Sequence, residues 1–118
     1  MSMNFLKDDC FQIANMYCFC IEFHSDGRRR GFHASQLIEY TLEPNLDAED
    51  DKNAPPEKLA LAFSTADVVV LGWRLGRLAD CLRENKLAAV GILPTRYAEL
   101  DRNKPFVASI SITPIVKE

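Results

Sequence analysis

Tyr17, Phe19, Ile21 and Phe23 occupy every second position of one short segment, with Cys18, Cys20, Glu22 and His24 between them. Successive side chains of an extended chain point to opposite faces, so this spacing predicts a strand with its aromatic side on a core. Ser25-Asp26-Gly27 follows at once. Asp-Gly between extended segments is a strong hairpin signal, because both residues accept positive φ. A return strand is expected from the Arg28-Arg29-Arg30 run through Phe32 or Ala34, with Gly31 as a weak point or a bulge. A third extended segment covers Leu37 to Leu42.

The pattern breaks between Glu43 and Glu57, where six acidic residues, one lysine and three prolines are gathered. That composition predicts a solvated loop without buried structure, either functional or, more simply, surface decoration, separating two halves of one domain and not two domains. Beyond it, Leu59, Leu61 and Phe63 alternate with small residues, and Val68-Val69-Val70-Leu71 is a β-branched apolar run. The pair reads as an antiparallel hairpin whose second strand is covered on both faces.

A helix is expected from Trp73 or Arg74 to Asn85, because Leu75, Leu78, Ala79 and Leu82 repeat at i, i+3, i+4 and i+7. A strand over Leu87–Leu93, a helical turn opened by Pro94 and a last strand with Phe106, Ala108, Ile110 and Ile112 on one side complete the chain. The fold class expected is α+β: a mainly antiparallel or mixed sheet of about six to seven strands in the order β-β-β-β-β-α-β-β, with one main helix covering one face. The segment from Val68 through the helix to Val90 is long enough for a parallel crossover. With 118 residues, 47% of them apolar, the chain fits one domain over residues 1–118 that needs no metal or disulfide staple.

The formal net charge of -3 argues against bulk nucleic-acid binding. No run reaches the length of a membrane span, and the first residues lack the basic-then-apolar plan of a secretion signal, so a cytoplasmic location is expected. Cys10, Cys18, Cys20 and Cys81 are then free thiols that act as small hydrophobes.

Three groups of residues carry chemical interest. A two-residue turn at Asp26-Gly27 places His24 opposite Arg29, Glu22 opposite Gly31 and Cys20 opposite His33. Cys18, Cys20, His24 and His33 would then share a face, and thiols with imidazoles are zinc ligands. Alternate strand residues lie about 6.5 Å apart and must bend toward one another to chelate, which a C-x₂₋₄-C knuckle does without distortion. Cys20 or Cys81 with His33 could form a Cys/His nucleophile, but the sequence supplies no third orienting group. Arg77, one turn before Cys81, could lower its thiol pKa if the thiol were exposed, although packing at the helix boundary is the simpler role.

Arg28, Arg29 and Arg30 at a hairpin tip could contact phosphates, with Phe32 and His33 adding stacking. Gly72-Trp73-Arg74-Leu75-Gly76 matches neither phosphate-loop pattern, and the acidic segment has no calcium-loop order. No cofactor is expected. The reading that remains is a non-enzymatic protein-interaction or scaffold domain, binding a protein partner or a second copy of itself through an open sheet edge. A small nucleic-acid-binding domain using Arg28–Arg30 and a metal-binding or Cys/His enzyme are the alternatives. No membrane contact is expected.

Overall fold

The computed structural model describes residues 10–48, 54–92 and 104–115. The described residues form eight strands and one α-helix. In chain order these are β1 (Phe11–Ile13), β2 (Cys20–Ser25), β3 (Arg28–His33), β4 (Leu37–Pro44), β5 (Glu57–Phe63), β6 (Ala66–Trp73), α1 (Gly76–Arg83), β7 (Leu87–Gly91) and β8 (Phe106–Pro114). The α+β class is the expected one, but the strands divide into two four-stranded sheets, ordered β1-β7-β2-β3 and β4-β5-β6-β8. The strand missing from the sequence reading is β1, three residues paired with β7. It is too short to show a period of its own.

The sheets face one another across a single apolar cluster. Phe23 and Phe32 of the first sheet meet Phe63 of the second, with Phe32 stacked on Phe63 at 4.5 Å between centroids and Phe23 edge-on to both. Ile21, Leu59, Leu61, Val68 and Val70 extend this cluster, and Leu75, Leu78, Cys81 and Leu82 bring α1 onto it. The helix is therefore amphipathic as its stripe predicts, but shorter. Arg74 has a φ of 56°, which keeps it out of the helix, and Asn85, at 57°, leaves it at the other end.

The structure corrects four further expectations. The β6 run is covered on one face only: Val68 and Val70 are buried, whereas Val69 and Leu71 are half-exposed, because β6 belongs to a sheet with one face outward. No crossover joins β6 to β7, since the helix carries the chain from one sheet to the other, and the parallel pair is instead β2 with β7. The acidic segment is more built than its composition implies. β4 runs to Pro44, β5 starts at Glu57, and buried Asn45 donates from its side chain to the Pro55 carbonyl at 2.8 Å and from its backbone to Pro56 at 2.9 Å.

The fourth correction concerns Tyr17 and Phe19. They precede the first ladder residue of β2, so strand alternation does not constrain them, and both lie in solvent instead of in the core. The expected turn at Pro94–Leu100 and the loose start lie outside the described residues, save Cys10. Among the described residues no helix is long and apolar enough to cross a membrane.

Candidate functional site

The β2–β3 hairpin is built by its turn. Asp26 and Gly27 both have positive φ, 54° and 75°, the backbone of a two-residue turn whose twist matches the flanking strands. The resulting register is the one the turn predicts: Ser25 opposite Arg28, His24 opposite Arg29, Phe23 opposite Arg30, Glu22 opposite Gly31 and Cys20 opposite His33.

Strand alternation splits the three arginines. Arg29 lies on the outer face, where its Nε stands 3.6 Å from Glu22, and the same carboxylate accepts from His24 Nε2 at 3.2 Å. Gly31 opposite leaves room beside the Glu22 stem. This is an outward-facing ion network, partly exposed, and worth on the order of 1 kcal/mol or less.

Arg28 and Arg30 face the other way, over an open cleft of about 440 Å³ between the hairpin and β8. Ser25, Asp26 and the two arginines form one wall, and Ile110 and Ile112 the other. The Arg30 guanidinium sits 5.2 Å from the centroid of the Phe32 ring. Phe32 is buried beneath it and stacked on Phe63, so the ring has no free face to offer a base.

The Cys and His candidates come together only in part. Cys20 and His33 are directly opposed, but Cys18 lies before the strand and donates to the Cys20 carbonyl. His24, four residues beyond Cys20 in the strand, is engaged with Glu22. Among the described residues no three His, Cys, Asp or Glu side chains are grouped to hold a metal ion. Cys81, on the inner face of α1, is fully buried, and burial pushes its thiol pKa up, with Arg77 opposing part of the shift. A protonated, enclosed thiol is a packing group and a poor nucleophile.

A feature of a different kind lies at the opposite end of the hairpin. Met16, Tyr17 and Phe19 are 78%, 71% and 83% exposed, yet the backbone that carries them is tied down. Ala14 N–H donates to the Lys86 carbonyl at 2.8 Å, Cys18 N–H to Asn85 at 2.9 Å, and Ala34 N–H to Phe19 at 2.7 Å. Beside Phe19 opens a shallow depression of about 310 Å³ between Cys18, His33, Ser35 and Asn85. The sequence pattern concealed this surface, because Tyr17 and Phe19 continue the parity of Ile21 and Phe23.

No family model, curated protein or solved structure matches this chain.

Proposed function

We propose that this chain is a protein-interaction domain that acts by contact and not by catalysis, with Met16, Tyr17 and Phe19 as its apolar anchors. The observation that carries the reading is the combination of large exposed side chains with a fixed backbone at 14–19. Clustered aromatic and Met side chains left in water are the material of docking surfaces. Aromatic anchors supply much contact area for few rotatable bonds, so little entropy is lost when a partner covers them. The three backbone hydrogen bonds reduce that loss further, since the anchors are presented before any partner arrives.

A photoreactive amino acid at position 17, introduced in the cell of origin, tests this. The expected result is a discrete adduct, with either a second copy or another protein, that is absent when the same group replaces exposed Glu39 on β4. Equal and diffuse labelling from both positions would overturn the reading.

A further inference from the structure

We propose that the open edge of β3 accepts an extended acidic segment of a partner protein as an added strand, with Arg28 and Arg30 recognising its carboxylates. This names a partner chemistry for the interaction function above and rests on that reading.

The backbone is arranged for it. Among the described strands β3 pairs only with β2. The two-residue turn at Asp26-Gly27 fixes the parity of the ladder, since Ser25 and Arg28 on either side of it are the first bonded pair. Antiparallel pairs alternate between bonded and non-bonded, so Arg28, Arg30 and Phe32 turn their backbone groups toward β2. Arg29, Gly31 and His33 turn theirs outward, along an edge that can bond to another strand.

The side chains select what that strand carries. Residues directly opposed across a ladder share a face with Cβ atoms about 5 Å apart. A strand laid along β3 therefore places alternate side chains opposite Arg28 and Arg30, above the cleft whose far wall is Ile110 and Ile112. Among the described residues Arg29 has its carboxylate in Glu22, whereas neither Arg28 nor Arg30 forms an ion pair. Glutamates at those alternate positions supply the missing carboxylates and lay their methylene stems against the isoleucines. A second copy of β3 is a poor occupant, because it would set two edges of like charge, each with three arginines, side by side. Single-stranded nucleic acid fits less well than a peptide, because Phe32 is buried beneath Arg30 and cannot act as a stacking platform.

The test uses the full chain and a short synthetic peptide with glutamate at alternate positions and threonine between them, followed by fluorescence anisotropy at low salt. Saturable binding is expected. It should weaken by about tenfold or more in Arg28→Gln/Arg30→Gln and change little in Arg29→Gln, with thermal unfolding confirming that each variant is folded. Amide exchange at Arg29, Gly31 and His33 should slow when the peptide is bound. Equal affinity in the double variant, tighter binding of an oligothymidine than of the peptide, or no peptide binding at all would each overturn the proposal. In the last case the arginines only guard the edge against self-pairing. An adduct from position 17 that persists when the peptide fails would reject the acidic partner and leave the interaction reading standing. Peptide binding without any such adduct would instead reject the apolar anchors.

Discussion

Gly72 lies directly against the backbone carbonyl of Phe106, so close that a Cβ on the glycine has no place to go. The β6–β8 register slips between Leu71 and Gly72, and the missing side chain is what lets the two strands close at that irregularity. Gly72→Ala should therefore lose at least about 2 kcal/mol in denaturant unfolding. Gly31 is the contrast. A Cβ there meets the Glu22 stem at 3.6 Å, an ordinary contact, so Gly31→Ala should gain about 0.5 kcal/mol from the stiffer strand.

The hairpin turn offers a second test. Gly27 has a φ of +75° with open space around it, so Gly27→Ala suffers backbone strain alone. A loss of about 1 kcal/mol is expected, and Gly27→Asn should recover part of it, because Asn tolerates the left-handed region. If peptide binding depends on the β3 edge, the alanine variant should also bind more weakly, since its hairpin frays first at the tip.

The cysteines separate by burial. Cys20 is exposed, whereas Cys10 and Cys81 are buried. A thiol reagent at neutral pH should modify Cys20 in the folded protein and reach Cys81 only on unfolding. Burial raises the Cys81 pKa above the ordinary 9.0, so the unfolded chain gives up that proton first as pH rises. Folded stability attributable to this thiol is complete below about pH 8 and falls as pH passes the unfolded value. The stability difference between the wild type and Cys81→Ala should accordingly shrink between about pH 8 and pH 10.

The hairpin turn and the helix stripe are legible in the sequence, and the sheet partners are not. Asp26-Gly27 defined a turn and, through it, a register from Cys20 to His33. Leu75, Leu78 and Leu82 defined a helix face that is buried as expected. Alternation says that a segment is extended but not which sheet it joins, so Leu87–Gly91 gave no sign that it pairs in parallel with β2 from more than sixty positions away. The split of Arg28-Arg29-Arg30 into one ion-paired and two cleft-facing side chains follows from alternation once the hairpin is accepted. The exposure of Tyr17 and Phe19 does not follow, because it depends on the chain leaving the ladder before Cys20.

Whether the rings at 17 and 19 serve contact or the fold is decided most directly by the unfolding free energy of the Tyr17→Ser/Phe19→Ser protein. If they are presented to a partner, this protein unfolds within about 0.5 kcal/mol of the wild type, as surface substitutions do. A loss of about 3 kcal/mol or more, the scale expected for Phe23→Ala in the core, would show that the rings belong to the fold and would contradict the interaction surface.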